Sequence, residues 1–330
     1  MSENFRPVAM PAGITTAASL AAAAPPPGPL HLAIGMFDGV HLGHQAVIEA
    51  AIHSAQPAGG VSAVLTFHPH PSRLFRPDAP TPLLMPSAAK IRFLHDLGVN
   101  TVITQPFTRA FARIEAGDFL ARLKRHLPAL AAVYVGENFR FGRGRAGNVQ
   151  TLVESGRREG IAVVSVPALR RNGQRISSTR LRELLAAGEI AEAGRHLGYT
   201  YFCDGAVQPG AHLGRKLGFP TFNFAWAPEA RPAYGVYVVR LRAERDGIFR
   251  RGVANYGLRP TVTRGRKVAP LLEVHLLGAA PALRAGSAVR VEWLEFLRPE
   301  KKFPDLEALK TQIARDCTAA RAYFKRKKIR

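Results

Sequence analysis

A chain of 330 residues, 47% hydrophobic and 21% charged, has room for two globular domains, and this composition excludes a disordered chain. No run approaches the roughly 18 apolar residues that a membrane span needs, and two cysteines, Cys203 and Cys317, exclude a disulfide framework and fit a reduced, cytoplasmic setting. The net charge of +22 either attracts polyanions or reflects arginine scattered over a solvated surface; its one dense block, KRKKIR at 325–330, reads as a frayed helix end.

Residues 12–30 are Ala/Pro-rich and mildly apolar, and residues 1–29 precede the first predicted strand. A lone Arg6 balanced by Glu3, and the interruption by Pro25, Pro26 and Pro27, predict a flexible extension rather than a signal peptide. From residue 30 strand and helix signals alternate. Apolar runs at 30–35, 61–67, 99–105, 131–136 and 161–167 predict strands. Helical spacing marks 44–55, 88–98, 116–127, 148–160, 179–187 and 189–197. Such alternation predicts an α/β domain, a Rossmann-like parallel sheet with helices on both faces, over 30–197. Near Gly198 the pattern changes. Short β-rich runs at 199–208, 235–243, 248–256, 270–277 and 288–297 predict a small antiparallel barrel or sandwich over 198–330. Asp305 then reads as the N-cap of a closing helix with Leu306, Leu309, Ile313, Cys317, Ala320 and Phe324 on its apolar face.

The first chemical cluster is GMFDGVHLGH, residues 35–44, directly after the first predicted strand. Ligands of open parallel sheets sit beyond the carboxyl ends of the strands. Gly35 and Gly39 permit a tight turn and close approach of backbone to a ligand. His41 and His44, three residues apart near a helix N-terminus, can both donate to phosphate oxygens. Ser177, Ser178 and Thr179 can cap a helix and bind phosphate, and Arg182 can grip the same phosphates; alone, these residues read equally well as a plain cap with solvated arginines. GENFRFGRGRAG (136–147) is open to two readings, a ligand loop or an RNA contact, and Phe139 and Phe141 to stacking or core packing.

The second cluster is GRKLGFPTFNF, residues 214–224. Gly214, Arg215, Lys216 and Gly218 form a loop suited to covering phosphates. Thr221 and Asn223 would project together from an extended strand, offering hard oxygen ligands of the kind Mg²⁺ accepts. Glu273, in LLEVHLL, is either a general base or a solvent-facing glutamate, and the pattern alone does not choose.

These stretches together resemble the bacterial bifunctional FAD synthetase family. GMFDGVHLGH is similar to the HxGH signature of nucleotidyltransferases. TFHPHP (66–71), GENFRFGRGRAG and ISSTRLRELLAAGEI (176–190) resemble further segments of the adenylyltransferase half. GRKLGFPTFN, YGVYVVR, GVANYGLRPTV, EVHLL and FLRPEKKF resemble the riboflavin kinase module, in family order. The resemblance implies phosphorylation of riboflavin to FMN and adenylylation of FMN to FAD, with ATP as co-substrate of both reactions, Mg²⁺ as cofactor, and neither membrane nor nucleic acid as main partner. It implies catalytic roles for His41, His44, Arg182 and Glu273. It places Gly35, Phe37, Asp38, Gly39, Ser177, Ser178, Thr179, Gly214, Arg215 and Lys216 at ATP phosphates, Asn138, Phe139 and Pro69 at flavin, and Thr221 and Asn223 at the metal. The chain departs from the family at Met36, commonly Asn, at Tyr256 and Leu258, and after Leu277, where GAAPALRAG replaces an acidic stretch.

Overall fold

The computed structural model describes residues 14–209, 214, 217–258, 270–279 and 283–328. They fall into two compact units, Met1–Ser178 and Thr179–Arg330.

The first unit is a six-stranded parallel sheet of β1 (Thr15–Ala17), β2 (Leu30–Ile34), β3 (Val61–His68), β4 (Thr101–Pro106), β5 (Leu130–Gly136) and β6 (Ala162–Val166), in the order β1-β4-β3-β2-β5-β6. Its helices are α1 (Leu42–Ala55), α2 (Pro71–Phe75), α3 (Ser87–Asp96), α4 (Arg109–Ala112), α5 (Phe119–His126) and α6 (Val149–Glu159). All five residues of β2 are buried, as a strand covered on both faces requires. Alternation along the strands divides the core in two. Leu32, Leu65 and Val133 pack with Leu120 and Leu152 on one face, and Ala33, Val64 and Val102 with Ile48 and Leu94 on the other. From β2 the chain runs outward through β3 and β4 to one side, and β5 and β6 lie on the other. The crevice between the carboxyl ends of β2 and β5 is therefore the topological switch point, where such sheets bind ligands.

The flexible extension expected over residues 1–29 is corrected among the described residues. Thr15 pairs with Thr101 and Ala17 with Ile103, parallel to β4, and Leu20 is buried. Three residues are too few to show alternation, so this strand is specified by its distant partner rather than by its own pattern. A two-stranded hairpin, β7 (Arg170–Arg171) and β8 (Gln174–Arg175), turns at Asn172 and Gly173, both at positive φ, the chemistry of a type I′ turn.

In the second unit a closed antiparallel barrel is built from β9 (Phe202–Gln208), β10 (Thr221–Ala225), β11 (Gly235–Ala243), β12 (Phe249–Leu258), β13 (Pro270–Leu276) and β14 (Ala288–Pro299). Tyr237, Tyr256 and Trp293 fill its interior with ring contacts of 4.6 and 5.6 Å to the indole. Helix α9 (Leu306–Lys327; α7 and α8 are given below) covers one outer face, packing Cys317, Ala320 and Phe324 on Val236, Val238 and Val253. Asp305 caps it as expected, accepting the Ala308 N–H at 2.7 Å. Helices α7 (Ser178–Ala186) and α8 (Ile190–Leu197) precede the barrel. The change of pattern near Gly198 predicts a boundary at 197, but packing divides the chain earlier: Ala233 N–H donates to the Leu185 carbonyl at 2.9 Å and Gly188 lies against the Phe296 ring.

Candidate active sites

The loop from β2 to α1 is held in an unusual backbone. Phe37 has φ 49° and Val40 φ 35°, with Gly39 between them at φ 77°. Left-handed conformations cost non-glycine residues of order 1–3 kcal/mol each, most for a β-branched one, and persist only where surroundings fix them. Here the surroundings do. Thr66 Oγ1 donates to the Met36 carbonyl at 3.0 Å, and the Asp38 carboxylate accepts Leu84 N–H at 2.9 Å. Ser178 Oγ donates to the Asp38 carbonyl at 2.9 Å, and Gln45 Nε2 to the Val40 carbonyl at 2.8 Å. A Cβ on Gly39 would stand 2.8 Å from Leu84 Cδ1. Gly39→Ala should therefore lower stability by at least ~1–2 kcal/mol, read as a fall of several degrees in the melting temperature of the first unit; an unchanged melt would contradict this reading of the turn.

The loop delivers two imidazoles. His41 is the N-cap of α1, and its Nδ1 accepts the His44 N–H at 3.2 Å. A neutral His41 therefore carries its proton on Nε2, which makes that nitrogen a donor. The two rings stack at 3.6 Å and 15°. Gly43 permits this, since a Cβ there would meet His41 Nδ1 and Cε1 at 3.3 Å. Burial, then the adjacent His41, then the Lys90 ammonium hold His44 well below the ordinary histidine range. Two parallel rings this close resist carrying two charges, and it is His44 that rests neutral.

His41, His44, Phe37, Ser177 and Ser178 line a cavity of about 260 Å³. Gly35, Asn138 and Phe139 line it too, and the same three line a wider cavity of about 1120 Å³. The wide cavity is walled by Phe67, Phe107, Phe111 and Phe141 and rimmed by arginines, Arg76, Arg109, Arg113 and Arg140 among them. The two spaces thus meet at the carboxyl ends of β2 and β5. One suits a phosphate chain, the other a flat aromatic ligand bearing an anionic group.

Not every predicted residue reaches these walls. Asp38 is buried and its carboxylate is turned to Leu84; Gly39 shapes the turn. Pro69 is not on the wall of the wide cavity, although His70 and Pro71 are. Thr179 and Arg182 lie on α7, Arg182 one turn beyond Ser178. Sequence reasoning missed Gly43, which only the ring stacking explains. It also missed Lys90, which lies in AAKIRFLHDLG, a stretch marked by its helical spacing alone.

In the barrel, register brings the predicted residues side by side. Asn223 on β10 and Asn255 on β12 both pair with Glu273 on β13, and Thr221 pairs with His275. Thr221, Asn255 and Glu273 line a cavity of about 410 Å³ beside α9, with Glu300 and the Arg298–Asp316 ion pair, 2.8 Å, on the same wall. Burial, then the Glu273 charge, raises Glu300 above the usual carboxylate range, against a hydrogen bond from Asn255. Gly214 lines the cavity, and a Cβ there would collide with the Phe219 carbonyl. Arg215 and Lys216 lie outside the described residues. Asn223 is 4% exposed, and its Oδ1 has no hydrogen-bond partner among the described residues. A buried carbonyl oxygen left this way is costly unless something occupies it. Among the described residues no three His, Cys, Asp or Glu side chains cluster as a metal cage. The row instead offers a neutral oxygen or two, which fits a hard cation that takes its remaining ligands from phosphates and water.

Two family models match the chain in succession: FAD synthetase over residues 25–180 and riboflavin kinase over residues 197–324. A bifunctional riboflavin kinase/FMN adenylyltransferase from Escherichia coli K12 is 37% identical over 294 residues, 89% of this chain and 92% of that protein. One from Haemophilus influenzae is 38% identical, covering 89% and 94%. A solved structure of a protein called macrolide-efflux protein from Streptococcus pneumoniae aligns at TM-score 0.83 and 27% identity, over 93% of this chain and 99% of that one. Among the described residues no helix is long and apolar enough to cross a membrane.

Proposed function

The chain belongs to the bifunctional riboflavin kinase/FMN adenylyltransferase family, and we propose that its two reactions run at two separate sites, adenylyl transfer at the paired imidazoles and phosphorylation at the barrel row. It phosphorylates riboflavin to FMN and joins FMN to the adenylyl group of ATP, giving FAD and pyrophosphate. Both reactions consume ATP.

One observation carries the adenylyl-transfer assignment: the stacked His41–His44 pair on the wall of a cavity that opens into an aromatic, arginine-rimmed one. The FMN phosphate is already anionic and needs no general base. As its oxygen attacks the α-phosphorus and pyrophosphate departs, the requirement is for donors aimed at the growing charge. His41 donates from the end of the β2–α1 loop and His44 from the first turn of α1, Ser177 from the facing segment with its hydroxyl and Ser178 with its N–H, and Asn138 and Phe139 stand where the two substrates meet. Arg182, one turn after Ser178, adds its guanidinium to the phosphates by analogy with the family. In the barrel the nucleophile is the terminal alcohol of riboflavin, and Glu273 takes its proton as the γ-phosphoryl group moves. Thr221 and Asn223 are the residues to hold Mg²⁺, which when bound shares the negative charge of the ATP phosphates. Gly214, on the same wall, stands beside these phosphates, and the contacts of Arg215 and Lys216 with them are expected by analogy with the family alone. The two buried free cysteines fit a cytoplasmic setting.

Asn223→Ala tests this division. FMN formation should need at least ~10-fold more Mg²⁺, while FAD formation from added FMN keeps its Mg²⁺ dependence within about twofold. An equal change in both reactions would mean one shared metal site and would overturn the assignment.

A further inference from the structure

Lys90 lies on α3, outside every motif of the two sites, and is 7% exposed. Its Nζ donates to the Met36 carbonyl at 3.0 Å and to Thr66 Oγ1 at 2.8 Å. Met36 is the residue just before the strained stretch Phe37–Val40. Thr66 already donates to the same carbonyl, so the lysine is not needed to satisfy it. A buried ammonium that adds a second, charged donor to a satisfied carbonyl is an expensive way to build a core. Its charge is also felt in the nucleotide cavity, where it is among the causes that depress His44. A field that opposes a proton on His44 favours a phosphate beside it.

We propose that Lys90 is a positioning residue for adenylyl transfer: its buried ammonium clamps the Met36 carbonyl, fixing the Phe37–Val40 turn that presents His41 and His44, and adds positive potential behind the triphosphate. The inference rests on adenylyl transfer occurring at the paired imidazoles. The groups around the ammonium are Asp38 on the loop after β2, His44 on α1, and His68 at the end of β3 with His70 just after it, which share a small cavity of about 10 Å³ with it and Asp38. Burial lowers Lys90 to about 8, with the Asp38 charge pulling the other way. The clamp therefore weakens as pH rises through about 8. The sign for stability is the opposite of that for activity. A lysine held below its unfolded value of 10.5 opposes folding while charged, so the fold gains stability between pH 8 and 10.5.

The test uses the full chain and reads both reactions. Lys90→Met should lower kcat for FAD formation from added FMN by ~10–100-fold, the size expected when a remote change shifts reacting groups by about an ångström. FMN formation should stay within about twofold, and the melting temperature at pH 7 should be unchanged or higher. FAD formation by the unaltered enzyme should decline above about pH 8, and Lys90→Arg, which cannot lose its charge, should retain more activity than Lys90→Met and keep it at higher pH. His44→Ala runs alongside. If it spares FAD formation, the site reading itself is wrong. If it abolishes FAD formation while Lys90→Met does not, only the Lys90 inference falls. A Lys90→Met loss that merely tracks a lowered melting temperature would also overturn it, as would an alkaline limb identical in Lys90→Arg. Should neither variant fold, the unaltered enzyme decides: flat FAD formation from pH 7 to 9 rules the proposal out.

Discussion

Replacing His44 by alanine should cut FAD formation from added FMN by ~10²–10³-fold, the usual loss when one preorganised donor is removed from a charge-stabilising site. Formation of FMN from riboflavin should stay within about twofold. His44 is suited to this role by what surrounds it. The Phe37 ring meets it edge-on at 5.4 Å, His41 stacks on it at 3.6 Å, and Nδ1 is buried without a hydrogen-bond partner among the described residues. Its ring is thus fixed before any substrate arrives, and a fixed donor costs no reorganisation at the moment of reaction. The effect should fall on kcat more than on the KM for ATP, because the charge that the imidazole meets grows as the α-phosphorus is attacked. An equal rise in KM with kcat intact would make His44 a binding residue only.

The second large effect belongs to the other reaction. Glu273→Gln keeps the shape of the side chain and removes its ability to take a proton. FMN formation should drop by ~10²–10⁴-fold, the range for loss of a general base. FAD formation from added FMN should be unaffected. Glu273 sits between Asn223 and Asn255 in the strand register, so the amide still finds polar neighbours and the barrel should melt as before. Retention of kinase activity in this variant would remove Glu273 from the chemistry and turn attention to Glu300, the second carboxylate on the same wall.

Much of this was legible in the sequence, for identifiable reasons. Buried parallel strands read as unbroken apolar runs, and β2, β3 and β5 lie where those runs are. The cap at Asp305 is a local interaction between a carboxylate and an N–H three residues on, so a short window shows it. The paired histidines announce themselves through spacing. What was hidden depends on contacts distant in the chain. Strand β1 exists because Thr101–Ile103 offer it an edge. The Asp38 carboxylate, grouped with the phosphate residues from the motif, is turned to Leu84, 46 residues away. Lys90 is buried because the Met36 carbonyl and Thr66 wait for it, 54 and 24 residues earlier. The sixth barrel strand, β10, lay inside a motif read for its chemistry, and its register with β13 is what aligns Asn223 with Glu273.

A crystal structure of the protein with a non-reactive ATP analogue tests the central claim most directly. The account predicts His41 Nε2 and the His44 ring within about 3.2 Å of phosphate oxygens, with the α-phosphorus facing the wide aromatic cavity past Asn138. A triphosphate bound elsewhere, with both imidazoles turned from it and packed among aliphatic side chains, would contradict it.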